Sequence, residues 1–276
     1  MQKIRAKIPV YLMIIPVAAS CVLRFFQLLN FTDKSTGNTF GSGIKLSLVT
    51  YALLAAALIF DALYSKNKIQ LKPRLDFNKG GRLQNAACVF LAVACFADFL
   101  HRIYNCYNHV SKIGYMEYAY LLPMAVSGLI ALLCCFYFVC VLKTLKGSNY
   151  DFRNFTFFHF APIAWCFSNL IIMMLHIIDV KKNTEGVLEF LLMVFITMFF
   201  FCYVSMLDKS GNVSVLFIFF ANAVLIFSTA LVLPRYAVMI SGNAELLRTE
   251  EYTGLTYIAL GVFSSVFSIK ALKTTD

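Results

Sequence analysis

The chain has 276 residues, of which 60% are apolar, 16% aromatic and only 14% charged, with a formal net charge of +10. That balance excludes an ordinary soluble domain, and neither the nine cysteines nor the four histidines fall at metal-ligand spacings. The expected fold class is all-α: a polytopic helical membrane protein of eight transmembrane helices, forming one integral membrane domain over residues 1–276.

A hydrocarbon core about 30 Å thick takes about 20 helical residues to cross, and only helices or closed barrels satisfy every backbone polar group there. Continuous apolar runs without period-two alternation select helices. In chain order the expected spans are 9–31, 46–64, 83–103, 119–142, 155–178, 187–207, 213–233 and 253–272. The longest connections, 65–82 and 234–252, leave no room for an inserted soluble domain. The first run also reads as a signal peptide, because basic residues precede it and Ala18, Ala19, Ser20 and Cys21 resemble a lipoprotein cleavage box. Apolarity that continues to Phe31 is too long for a signal core and favours a retained helix.

Basic residues orient the spans. With the N-terminus in the cytoplasm, the inner segments carry Lys3, Arg5, Lys7, Lys66, Lys68, Lys72, Arg74, Lys79, Arg82, Lys143, Lys146, Arg153, Lys209, Lys270 and Lys273, fifteen in all. The outer segments and helix ends carry eight: Lys34, Lys45, Arg102, Lys112, Lys181, Lys182, Arg235 and Arg248. Both termini are therefore expected in the cytoplasm, the membrane being the plasma (inner) membrane. The dense run from Lys66 to Arg82 suits an anionic inner leaflet, and with no accompanying nucleic-acid module the expected partner is the lipid bilayer and no nucleic acid.

Two pairs of helices share a frame. The fourth and eighth open with Glu117, Tyr118, Leu121 and Glu251, Tyr252, Leu255, and close with Leu-Lys-Thr at 142–144 and 272–274. Pro16, Ala18, Leu29 and Asp33 match Pro162, Ala164, Leu175 and Asp179 more loosely. These matches allow a parallel 4+4 repeat with halves 1–144 and 145–276, and chance similarity between apolar helices accounts for them equally.

Ionisable residues inside apolar spans are the functional pointers, since a charge at bilayer depth is costly unless paired or wet. Arg24 lies in the outer half of the first helix, with Gln27 one turn on. At the same level lie Asp98, His101 and Arg102 of the third helix, Asn169 and His176 of the fifth, and Glu189 of the sixth. The candidate ligand-binding set is Arg24, Gln27, Asp98, His101, Asn169, His176 and Glu189, with Asp98 or Glu189 as the expected partner of Arg24. Two structural readings stand beside it: an Asp98–Arg102 pair within one helix, and an Arg24 that reaches outward. Asp61 and His159 offer an inner counterpart, and Pro162 beside His159 marks the expected broken helix. Tyrosines 104, 107, 115, 118 and 120 read as an interfacial belt.

The segment from Arg24 to Gly37, R-F-F-Q-L-L-N-F-T-D-K-S-T-G, resembles a stretch of uncharacterised multi-pass bacterial membrane proteins with an R-x-x-Q-L-L and D-x-x-T-G frame. The resemblance covers fourteen residues. It implies that Gln27 and the turn around Asp33, Thr36 and Gly37 form a unit, in a bacterial plasma membrane.

Three function classes remain: a permease-like carrier of a small solute or lipid; a non-catalytic sensor or accessory subunit bound to a membrane-protein partner; and an intramembrane lipid-modifying enzyme using His176 with Asp179 and Glu189. No catalytic residue, metal or cofactor is expected, and no nucleotide-binding loop is present to use ATP.

Overall fold

A computed structural model describes residues 8–33, 39–68, 80–113, 118–147, 156–176, 184–207, 214–247 and 252–271. Among these, eight α-helices follow in order: α1 Ile8–Asn30, α2 Ser42–Lys68, α3 Arg82–Ile113, α4 Tyr118–Leu145, α5 Ala161–His176, α6 Thr184–Leu207, α7 Ser214–Ile240 and α8 Tyr252–Ala271. Short 3-10 turns, Thr156–Phe160 and Ala244–Leu246, precede α5 and α8. Six helices are long and apolar enough to cross a membrane, while α1 and α8 contribute shorter apolar stretches, Ile14–Asn30 and Gly254–Ile269. The architecture is thus that of an all-helical chain compatible with a multi-pass membrane protein.

Apolar residues fall on both faces of these helices, and the two faces are used differently. Along α3 one seam at alternating spacings of three and four, Cys88, Leu91, Cys95, Asp98 and Arg102, is buried. A second, Val89, Val93, Phe96, Leu100 and Ile103, is exposed. In α4 the buried seam is Met124, Ser127, Ala131, Cys134, Phe138 and Val141, against exposed Leu122, Val126, Leu129, Leu133 and Phe136. The spacing is that of long helices packed side by side, and the outward stripes would be a liability in water. Hydrocarbon removes that liability.

From α3 to α8 each helix packs on the next, and α8 returns to α3, so these six close a ring. The α1–α2 hairpin packs on α7. One end of the ring is filled by aromatic rings. Phe138 of α4 meets Phe200 of α6 and Phe263 of α8 at centroid distances of 6.2 and 5.3 Å. Phe199 stacks on Phe217 at 5.1 Å, Phe263 stacks on Phe267 at 4.3 Å, and Tyr203 sets its edge against both of the latter. This aromatic end is where α4, α6 and α8 finish and α3, α5 and α7 begin.

The helix ends follow local chemistry. Gln84 Oε1 accepts the Gly81 N–H at 2.6 Å, as in a capping box, and the Gly80 N–H donates to the Leu145 carbonyl at 3.0 Å, strapping the start of α3 to the end of α4. Gly242 closes α7 with φ of +82°, a left-handed conformation that glycine adopts without cost. At the start of the fifth run a 3-10 turn that carries His159 leads directly into the α-helix from Ala161, with Pro162 in the first turn where no backbone donor is needed, so the run is continuous and not broken there.

Small residues set the α7–α8 crossing. Ser264 donates to the Ala221 carbonyl at 3.1 Å, and a Cβ added at Gly261 would run into Ser228 Oγ. Gly261→Ala should therefore lower the stability of the purified protein by about 1–3 kcal/mol, the usual cost of overpacking. Gly254→Ala, whose methyl meets Val232 and Tyr236 at 3.7 and 4.0 Å, should melt like wild type. Adding Ser228→Ala should recover much of the Gly261→Ala loss, and equal melting of the two glycine variants would show that this crossing has slack.

Candidate functional site

The buried seam of α3 changes from apolar to charged at Asp98 and Arg102, which sit one turn apart and therefore share a face. They are 5% and 7% exposed. Arg102 Nε donates to Asp98 Oδ2 at 3.2 Å, the ion pair that i,i+4 spacing allows. The same oxygen accepts the indole N–H of Trp165, from α5, at 3.0 Å. Arg102 Nη2 donates to Asn169 Oδ1, also on α5, and Nη1 reaches Met124 Sδ of α4 at 3.8 Å. Asn169 is held in that orientation because its own Nδ2 donates to the Trp165 carbonyl at 2.9 Å. Three helices thus meet at one charge-balanced centre, on the half of the bundle away from the aromatic end.

Two features give this centre chemical capacity. Among the described residues, Asp98 Oδ1 has no hydrogen-bond partner, since both bonds to the carboxylate end on Oδ2. Arg102 has five N–H groups, of which one goes to sulfur, a weak acceptor. Nearby, the hydroxyls of Ser127 and Ser168 lie 3.1 Å apart between α4 and α5. Gly128 lets the Arg102 stem pass close to α4, where an added Cβ would touch Arg102 Cβ at 3.5 Å.

The other candidates are distributed elsewhere. Glu189 of α6 accepts from Arg235 Nη2 of α7 at 2.6 Å, both side chains about five-sixths buried or more. His101, on the same helix as Asp98 but off its buried seam, bonds Asn105 at 3.0 Å. His176 ends α5 and its side chain lies outside the described set. Asp61 accepts from Asn222 of α7 at 2.8 Å, while His159 Nδ1 lies 3.2 Å from the Tyr137 hydroxyl, so the two expected inner partners belong to separate contacts.

Arg24 is 0% exposed, but within the α1–α2 hairpin. Its Nη1 donates to Gln27 Oε1 at 3.1 Å. Gln27 Nε2 in turn donates to Ser47 at 2.6 Å, to the Gly43 carbonyl at 3.2 Å and to Thr39 at 3.4 Å. Of the two partners expected for Arg24, Asp98 is bonded by Arg102, and Glu189 accepts from Arg235. An isolated antiparallel bridge between Thr32 and Thr39 pinches the hairpin turn, and Gln27 is tied to the segment after it. Thr36 and Gly37 lie outside the described residues.

Sequence reading passed over Trp165 and Arg235. Trp165 is the single tryptophan of the chain and stands one turn before Asn169, a signal that was available. The apolar run stops at Leu233, which puts Arg235 at a connection, whereas α7 continues through Pro234 to Ile240. The chain matches no family model, no curated protein and no solved structure.

The hairpin knot predicts a stability defect. Arg24→Ala and Gln27→Ala should each cost about 1–3 kcal/mol, the penalty of leaving buried polar partners unsatisfied, read as a lower melting temperature of detergent-solubilised protein. Unchanged melting of both would show that the knot contributes nothing.

Proposed function

We propose that this chain is a multi-pass protein of a bacterial plasma membrane, with both termini in the cytoplasm, and acts as a permease-like carrier of a small solute. The observation that carries the reading is the contrast between two buried polar groups of residues. Gln27 spends its amide on Thr39, Gly43 and Ser47, as a structural knot should. In the Asp98–Arg102 centre both hydrogen bonds to the carboxylate among the described residues end on Oδ2, which leaves Oδ1 open to a donor. A ligand that donates to that oxygen would complete the set.

The arrangement of the bundle supports the same reading. Two arginine–carboxylate pairs, Asp98–Arg102 and Glu189–Arg235, occupy the half opposite the aromatic rings. With the basic residues placed inside, that half faces outward and the aromatic end faces the cytoplasm. The eight spans and the 4+4 repeat belong to this proposal. The α3–α4 and α7–α8 hairpins, which would correspond in such a repeat, meet where α8 packs on α3, whereas α5–α6 completes the ring and α1–α2 joins it at α7.

A sensor or accessory subunit is the second reading, favoured by the depth of burial of Asp98, Arg102 and Asn169. For the lipid-modifying enzyme, Glu189 is bound to Arg235, and no observation favours that class.

The test is a melting screen of purified protein against amino acids, organic acids, sugars, nucleosides and amines, followed by proteoliposome uptake of whichever solute stabilises it. Carrier function predicts saturable uptake that Arg102→Ala abolishes while the variant still elutes as a single folded species. Absence of stabilisation and uptake, with a membrane protein copurifying instead, would favour the accessory reading.

A further inference from the structure

The Asp98–Arg102 centre is charge-balanced before any ligand arrives. A ligand with net charge would leave an uncompensated ion at this depth, which costs several kcal/mol unless it is paired or wet. The admissible ligands are therefore neutral overall. What the centre leaves available is specific: an anionic acceptor at Asp98 Oδ1, and guanidinium donors at the edge of Arg102 that otherwise meets sulfur. A guanidinium edge pairs best with a carboxylate, and a lone carboxylate oxygen pairs best with an ammonium.

We propose that this centre binds a compact zwitterion, a solute carrying a protonated amine and a carboxylate a few bonds apart, of the kind an α-amino acid provides. The ammonium donates to Asp98 Oδ1. The carboxylate accepts from Arg102 Nη1 in place of the Met124 sulfur, the weakest of the arginine's three contacts. Trp165 and Asn169 act as positioning residues. The indole N–H pins the carboxylate through Oδ2, and Asn169 holds the opposite side of the guanidinium, so both charged groups are oriented before binding. The paired hydroxyls of Ser127 and Ser168 and the sulfur of Met124 border the same three-helix junction. The proposal rests on the reading of this centre as the ligand site of a carrier, and deepens it by naming the solute class.

The experiment compares whole and half ligands on the full chain in nanodiscs, by thermal shift and calorimetry. The probes are glycine, alanine and leucine as zwitterions, methylamine and acetate as the separate halves, and glucose as a neutral solute without charges. At least one zwitterion should bind saturably and at least tenfold more tightly than either half, with no response to glucose. Asp98→Asn and Arg102→Gln should each weaken that binding at least tenfold, while Glu189→Gln leaves it intact. Trp165→Phe, which keeps the ring and removes the donor, should weaken binding while retaining the order of preference among the probes.

Failure of every zwitterion to bind wild-type protein overturns the proposal without requiring any variant to fold. So does equal binding of methylamine or acetate. Zwitterion binding without uptake into proteoliposomes would leave this site standing and remove the carrier, whereas uptake of a different solute class would keep the carrier and remove the zwitterion.

Discussion

An unpaired polar group in an apolar surround costs more than almost any other local feature, and the arrangement of this chain follows from that cost. The outward faces of its helices are as apolar as its core, so polar side chains can be accommodated only between helices, in contact with one another. Each buried charge therefore determines which helices must touch. Asp98 and Arg102 draw α3 to α4 and α5. Glu189 and Arg235 tie α6 to α7, and Asp61 with Asn222 ties α2 to α7. Packing of the apolar seams brings the helices together, and these bonds select the register in which they stop.

Not all of these contacts are of one kind. The Arg24–Gln27 bond is short-range in sequence, and the Gln27 amide ties α1 to α2. The centre at Asp98 crosses from α3 to α5, sixty-seven residues away in sequence, and is incomplete. The aromatic end presents the opposite chemistry, with rings from four helices interdigitated and Tyr137 beside His159 at its margin. A ring of helices closed by hydrocarbon at one end and holding paired charges in the other has a direction built into it. That asymmetry is what supports the proposal of a ligand at the centre.

Particular residues show how far reading along the chain could go. Helix existence was legible because a run of about 20 apolar residues has few alternatives, and the spans agree with the helices to within a few residues except at three ends. The helix α3 runs on to Ile113 because polar and charged residues continue a helix once it is nucleated, α7 runs on through Pro234 and Arg235 into apolar residues 236–240, and α5 begins only at Ala161, after its 3-10 turn. That extension of α7 places Arg235 within a helix, where it meets Glu189. The Asp98–Arg102 pairing was legible from its i,i+4 spacing. The bonds of Trp165 and Asn169 with that pair were not, since depth along a helix says nothing about which way around its axis a side chain points, or which helix stands there.

Composition and hydropathy alone therefore determined the class of molecule, the positions of its helices and the level at which polar residues collect, all of which are properties of a single helix against its solvent. Only the tertiary structure decided that α3 to α8 close into a ring, that Gln27 ties α1 to α2, and that Trp165 and Asn169 orient Asp98 and Arg102. Those are choices among neighbours, made by side-chain contacts between segments far apart in the chain. Periodicity within one segment carries no record of them.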